Sequence, residues 1–445
     1  MLGDAVAPAN FPETILRFRN DRAAATVGLD TLDDAAWIAH FGRFRPLPES
    51  LPKPLALRYH GHQFRVYNPD IGDGRGFTFA QLRDDRGRLL DLGTKGSGTT
   101  PYSRFGDGRL TLKGGVREIL ATEMLEALGV NTSRTFSLIE TGEQLHRGDE
   151  PSPTRSAVMV RLSHGHIRIG SFQRLAAIGD VDGLARLAGY ALEALHGETP
   201  GDTPALQLFE HVIAGTARLA ASYMAAGFVH GVLNSDNINV TAESFDYGPW
   251  RFTPFWEPGF TAAYFDAQGL YAFGRQAQAI HWDVVQLAIA LAKLVPVEAL
   301  APILDGFPAA YEQAHVRAML ARLGVTPRDE ERDLALVQAI EEGLTSKSVE
   351  IDRFFFDWRG GARRGLSPAD AAYAEHFSAV ERLLAGYASA RPVDHPYWSD
   401  AGPCSMHIQE VEHIWAAIAD HDDWQPLHDK VANIRRMGEA HRWQN

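Results

Sequence analysis

Apolar residues recur along this chain with two different periods, and the change from one to the other divides it. From about residue 58 to 175 they come in short runs cut by glycine, at 77–82, 89–93, 135–139 and 157–162, a pattern that predicts strands. One helical stretch interrupts them, because Val116, Ile119, Leu120, Met124, Leu125 and Leu128 share one face and Gly129 supplies a stop. Beyond about 175 the helical period takes over, at 184–195, 205–225, 283–294, 329–344, 368–385 and 407–418. Residues 1–55 combine a short helical pattern at 33–41 with prolines at 46, 48, 52 and 54, which suits an extended arm. The expectation is an α+β chain of two lobes with a cleft between them. An N-terminal extension (1–55) packs on the lobes, a sheet-rich lobe spans 56–178, and a helical lobe spans 179–445.

Composition narrows the classes. The 445 residues, 45% of them apolar, are enough for a large core. A net charge of −13 repels phosphate backbones, so no nucleic acid partner is expected. The most apolar long stretch, 284–304, is broken by Gln286, Lys293, Pro296 and Glu298, so no membrane span is expected. The first ten residues carry Asp4 and no basic-then-apolar run, so no secretory signal is expected. A single cysteine, Cys404, excludes an intrachain disulfide and a multi-thiolate zinc site, and fits a reducing, cytoplasmic setting.

Against this acidic background one region stands out. Between Gly72 and Arg117 there are nine Lys/Arg and five Asp, a local excess of positive charge that favours an anionic ligand. Gly72-Asp73-Gly74-Arg75-Gly76 precedes one predicted strand, and Gly96-Ser97-Gly98 and Gly106-Asp107-Gly108-Arg109 follow the next, which ends at Lys95. Glycine-rich turns let backbone N–H groups approach phosphate oxygens, although any one of them could be an ordinary tight turn. Glu118 lies 23 residues after Lys95, on the predicted helix, where the two could pair or could be unrelated surface groups. Arg161 and Arg168 flank Ser163-His164-Gly165-His166 and offer donor forks suited to phosphate.

The helical part adds His230-Gly231-Val232-Leu233-Asn234-Ser235-Asp236-Asn237 and then Asp246-Tyr247-Gly248. Their order and spacing follow the catalytic loop and metal-binding Asp-Phe-Gly of protein kinases, with Asn237 and Asp246 as oxygen ligands for Mg²⁺. Val232 stands where a kinase carries its catalytic aspartate and cannot accept a proton. Asp236 is the nearby carboxylate, either a base or a turn residue capping the loop. Asp283 is expected to brace that loop from the following helix. A histidine metal site at His60 and His62, or at His164 and His166, competes with plain hydrogen bonding, which is favoured because no third ligand completes either pair.

Taken together, the stretches Tyr59-His60-Gly61-His62-Gln63-Phe64, Gly72-Asp73-Gly74-Arg75, Thr100-Pro101-Tyr102-Ser103-Arg104-Phe105-Gly106-Asp107-Gly108-Arg109, 163–170, 230–237, Asp246-Tyr247-Gly248-Pro249 and Tyr271-Ala272-Phe273-Gly274 resemble the selenoprotein O family. The resemblance covers about 56–290 and implies a protein-kinase-like two-lobed fold. It implies transfer of AMP from ATP, or UMP from UTP, to Ser, Thr or Tyr hydroxyls of proteins, with pyrophosphate leaving and the nucleotide bound in a flipped orientation. Matched residue by residue, Gly72, Gly74, Arg75, Lys95, Asp107, Gly108, Arg161 and Arg168 would hold phosphates, with Asp246 also at the nucleotide. Glu118 would orient Lys95, Asn237 and Asp246 would hold Mg²⁺ or Mn²⁺, and Asp236 would be the base. Family members often end in a redox-active selenocysteine or cysteine; here 442–445 contain neither, and Cys404 reads as a packing residue. A conventional phosphotransferase and a non-catalytic nucleotide-binding scaffold are the alternatives. Acceptor identity, oligomeric state and the role of 300–445 are not legible in the residues.

Overall fold

The computed structural model describes residues 2–148 and 150–441. The expected α+β, kinase-like pair of lobes is present. In the first lobe, β1 (Gly3–Ala5), β2 (Ile15–Arg19), β3 (Leu55–Leu57), β6 (Thr78–Arg83), β7 (Leu89–Lys95), β9 (Arg134–Leu145) and β10 (Thr154–Ser163) form an antiparallel sheet in the order β1-β3-β6-β7-β10-β9-β2. β8 (Leu110–Thr111) pairs with β10, and β4 (Gly61–Gln63) with β5 (Val66–Asn68) forms a separate hairpin. The N-terminal extension thus does more than pack on the lobes. Its strands β1 and β2 occupy the two ends of the strand order, covering edges that would otherwise expose unpaired backbone groups. Its helices α1 (Asp21–Thr26) and α2 (Asp34–Phe41) lie on the sheet, with Trp37 and Phe41 buried against Phe136.

α3 (Leu112–Ala127) crosses the other face of the sheet. Thr111 caps it, its hydroxyl oxygen accepting from the Gly114 amide, and apolar side chains bury Val116, Ile119, Leu120 and Met124. Chain from the far end holds α3 in place: Arg435, on the C-terminal helix Gln425–His441, forms a charged pair with buried Glu123, and Glu412 reaches Lys113 at 2.7 Å. A role for the last third, unread from the sequence, is therefore to pack back onto the sheet lobe.

In the second lobe α4 (Ile169–Ala177), α5 (Val181–Tyr190), α6 (Pro204–Ala226) and α7 (Gln276–Leu291) surround the core, with β11 (Phe228–Val229) and β12 (Arg251–Phe252) between them. The expected division at 178 groups α4 with the sheet, and in the structure α4 packs on α5 and α7 as well as on β4. The single helix expected over 368–385 is two, Asp370–His376 and Ser378–Leu384. They break at Phe377, whose buried ring stacks on Phe354 at 5.3 Å and fills the space beside Gly343. Among the described residues no helix is long and apolar enough to cross a membrane.

Candidate active site

A cavity of about 610 Å³ opens between the lobes, lined by Gly72, Gly74, Arg75, Lys95, Asp107, Gly108, Arg161, Arg168, Asp236 and Asp246 among others. Ten residues singled out in the sequence therefore share one wall system. Lys95 ends β7 and is only 4% exposed. Its ammonium contacts the Glu118 carboxylate on α3 and lies 2.8 Å from Asp246 Oδ1. The expected strand-to-helix pair is thus formed, and it reaches across to the second lobe.

Arg161, on β10, approaches Asp246 Oδ1 at 3.7 Å, while its Nε and Nη1 lack hydrogen-bond partners in a buried position. Arg168 donates from Nη1 to the Asp236 carbonyl (3.1 Å) and from Nη2 to Asp73 Oδ1 (3.2 Å); its Nε is also unpartnered. The guanidinium of Arg168 lies over Tyr59, 4.3 Å from the ring centroid, and over Phe245 at 4.9 Å, which fixes its plane. Buried donors without partners are costly, so these arginines fit an anion supplied from outside the protein.

The glycines permit this approach. Gly108 has φ +70°, and a Cβ there would fall 2.3 Å from Gly98, so the two glycine turns could not come together with a larger residue. Asp107 does not itself offer a donor to phosphate. Its carboxylate holds Arg147 at 2.9 Å at the cavity rim and accepts from the Arg109 amide. Arg104, which the sequence offers only as part of a motif, also lines the cavity, as does Arg147, which was missed from the sequence because it lies in no glycine turn beside a strand end in the way that Arg75 does.

Two carboxylates in the cavity behave oppositely. Burial works to raise Asp246, but Lys95, then Arg161, Arg75 and Arg168, outweigh it and hold the carboxyl well below the ordinary range. Burial wins at Asp236 and pushes it up to about 6, with Arg168 opposing. Oδ1 of Asp236 has no hydrogen-bond partner. Asp246 is therefore a permanent anion, and Asp236 an acid–base group poised near neutrality.

The loop 230–237 is braced from several sides. Gln276 on α7 accepts from the His230 amide and donates to the Phe228 carbonyl, and Gln173 on α4 accepts from the Ser235 hydroxyl. Tyr271 donates to Asn234 Oδ1 at 2.6 Å. Asp283, expected to brace this loop, is instead a buried acid whose Oδ2 has no hydrogen-bond partner, pushed well above the ordinary range by burial and by Asp236. Its bracing work falls to the neutral amides Gln276 and Gln173, which can donate and accept at once.

Two oxygen donors are candidates for a divalent ion, Asp246 in the cavity lining and Asn237, which is not among the lining residues. Asn237 Nδ2 donates to the Val232 carbonyl, which leaves the amide oxygen as its ligating group, and Asp246 contributes a fixed carboxylate. Among the described residues no group of three or more His, Cys, Asp or Glu is arranged to hold a metal, so two oxygen donors would need substrate phosphate to complete a shell, the usual arrangement for Mg²⁺. Three of the four candidate histidines hydrogen-bond elsewhere, His60 with the Tyr67 hydroxyl, His62 with Gln173 and His166 with Asp91, while Nε2 of His164 and of His166 has no hydrogen-bond partner. Cys404 is half-buried, and burial pushes its thiol up to about 11.

A buried lysine–glutamate pair facing an aspartate across a cationic cleft between two lobes is the layout of a protein-kinase-like fold. Residues 2–381 match the family described as protein adenylyltransferase SelO. The chain is 43% identical to the protein nucleotidyltransferase YdiU of Gloeobacter violaceus over 97% of its own length and 92% of that protein. It is 40% identical to the protein nucleotidyltransferase YdiU of a Synechocystis species, over 97% and 95% of the two chains. The kinase domain of a Toxoplasma gondii rhoptry antigen is 13% identical, covering 61% of this chain and 84% of that one with a TM-score of 0.29, too low to bear on the fold. The chain belongs to the SelO family and is an enzyme of the nucleotidyltransferase class.

Proposed function

We propose that this protein transfers AMP from ATP to Ser, Thr or Tyr hydroxyls of other proteins and releases pyrophosphate. The observation that carries the reading is the set of buried guanidinium nitrogens of Arg161 and Arg168 without partners, beside a lysine already committed to Glu118 and Asp246. Such a pocket is suited to the far phosphates of ATP, deep between the lobes, with the α-phosphate left nearest the acceptor. A Val at 232, where a γ-phosphoryl-transferring kinase keeps its base, supports the same orientation.

In this mechanism the acceptor oxygen attacks the α-phosphorus. A new O–P bond forms, the bond from the α-phosphorus to the bridging oxygen breaks, and pyrophosphate leaves with that electron pair. The acceptor's proton passes to Asp236, whose carboxyl near 6 is ionised at neutral pH yet basic enough to take it. Arg75, Arg161, Arg168 and Lys95 neutralise charge on the leaving phosphates, and Gly72, Gly74 and Gly108 admit them to backbone N–H groups. Mg²⁺ or Mn²⁺, held by Asn237 and Asp246, would supply Lewis-acid polarisation of the phosphate oxygens.

Incubation with ATP labelled at either the α or the γ position tests this. Protein-bound α label is expected. Protein-bound γ label would instead establish a phosphotransferase, and ATP binding with neither label transferred would establish a scaffold.

A further inference from the structure

The β4–β5 hairpin pairs with no other strand among the described residues and is tied to α4 through His62 and Gln173, and its tip is strained. Gln63 pairs with Val66, so Phe64 and Arg65 form a two-residue turn, with φ +49° and +63°. Such turns belong to Asn and Gly, and a phenylalanine there is a backbone outlier that neighbouring contacts must hold. The catalytic loop supplies one of them: the Phe64 amide donates to Asn234 Oδ1 at 3.1 Å, and the His62 amide donates to Ser235 Oγ at 2.8 Å. At the hairpin's base, a Cβ on Gly61 would lie 2.9 Å from Asp236 Oδ1, so the hairpin rests directly on the base.

What this costly turn presents is an exposed apolar surface at the mouth of the cleft. Phe64, Val66 and Tyr67 are 37%, 69% and 39% exposed, and the Phe64 ring meets Phe265 at 5.9 Å, itself half exposed beside the almost fully exposed Tyr264. Contiguous exposed apolar surface beside a catalytic cleft marks a binding surface. Among the described residues no strand pairs with the outer edge of β5, which leaves its backbone groups available to an extended chain. Arg104 is exposed in the cavity lining and Arg65 is exposed at the hairpin tip, and among the described residues neither forms an ion pair. In a chain of net charge −13, Arg104, whose charge reaches Asp236, and Arg65, which lies over Trp282 near Asp283, select for acidic neighbours.

We propose that the β4–β5 hairpin and the loop bearing Tyr264 and Phe265 dock the acceptor polypeptide, as an extended segment with a large apolar and an acidic side chain beside the modified hydroxyl. This rests on the transfer reaction above and names the chemistry of its second substrate. The strain then has a purpose, because the same turn ties the Phe64 amide to Asn234 and sets its ring against Tyr271 and Phe265 with one side left to the incoming chain.

The test uses the full-length protein and two synthetic serine peptides, one with Phe and Glu beside the serine and one with Ala and Lys. Transfer of α label to the Phe/Glu peptide is expected to be favoured at least about tenfold in kcat/KM. The double variant Val66→Ser/Phe265→Ser is expected to raise KM for that peptide about five- to tenfold, with KM for ATP and the melting temperature unchanged. Arg65→Glu is expected to shift preference toward the Lys peptide, a reversal that loss of structure would not produce. Equal use of both peptides, or variants that leave acceptor KM unmoved while α label still transfers, would overturn the docking surface and spare the reaction. Absence of α-label transfer to any protein or peptide would overturn both.

Discussion

The two ends of the cleft are built on opposite plans. At the phosphate end, Lys95, Arg161 and Arg168 are almost wholly buried and fixed by Glu118, Asp246, Asp73 and two aromatic rings. At the end proposed for the acceptor, Phe64, Val66 and Tyr264 are exposed, and Arg65 forms no ion pair among the described residues. The phosphates of a nucleotide are invariant, so charges can be preorganised for them in a low-dielectric site before they arrive. Acceptor proteins vary, and an exposed apolar rim with an open strand edge tolerates variation that a buried, geometry-locked pocket would not. Asp246 and Asp236, ten residues apart in the chain, mark the boundary. The first is drowned in positive charge and stays ionised; the second is desolvated with fewer charges near it and titrates near neutrality.

The sharpest way to break this contrast is to remove the anchor of the phosphate end. Asp246→Ala is expected to lower label transfer by about 10³, because the Lys95 ammonium loses its cross-lobe partner and the metal its carboxylate. Near wild-type turnover would refute that role.

Next in size is Asp236→Asn, expected to lower kcat by about 10². The wild-type rate should fall as pH drops through about 6, where the base becomes protonated, and that acid limb should vanish in the variant. The same substitution sharpens the comparison through stability. The folded-state carboxyl lies above its ordinary 3.8, so the fold favours the protonated form and loses stability as pH rises from there through about 6. Asp236→Asn is therefore expected to raise the melting temperature above neutral pH and leave it unchanged near pH 4, as read by calorimetric scans at the two values. An inactive variant with an unshifted melting temperature would argue against a desolvated base.

A smaller effect is expected at Arg161→Gln, which keeps a donor but removes the charge: KM for ATP should rise about tenfold while KM for a peptide acceptor stays constant. A change in acceptor KM instead would dissolve the distinction between the two ends.

Much of the phosphate end could be read from the residues alone. Lys95 ends an apolar run and Glu118 sits on an amphipathic helix, so period and spacing placed them on a strand and a facing helix, where they meet. The loop 230–237 and Asp246 were legible for the same reason, since turns, short strands and their spacing are local features. Less was legible wherever partners lie far apart in sequence. Nothing near Asp283 signals that Gln276 and Gln173 would brace the loop in its place, and nothing near Arg147 announces its pairing with Asp107. The terminal segments are the plainest case, with β1 and β2 closing the sheet and Arg435 reaching Glu123 across 312 residues.

The chain by itself determined its two textures, the glycine turns and the polar residues of the catalytic loop, because each follows from side-chain chemistry over a few residues. Only the tertiary structure decided that Arg161 and Arg168 converge on Asp246 and Asp236, that a hairpin 173 residues upstream rests on the catalytic loop, and that one aspartate is charged while its neighbour titrates. Convergence of that kind depends on which faces pack together, and an ionisation constant depends on the charges and desolvation that such packing creates.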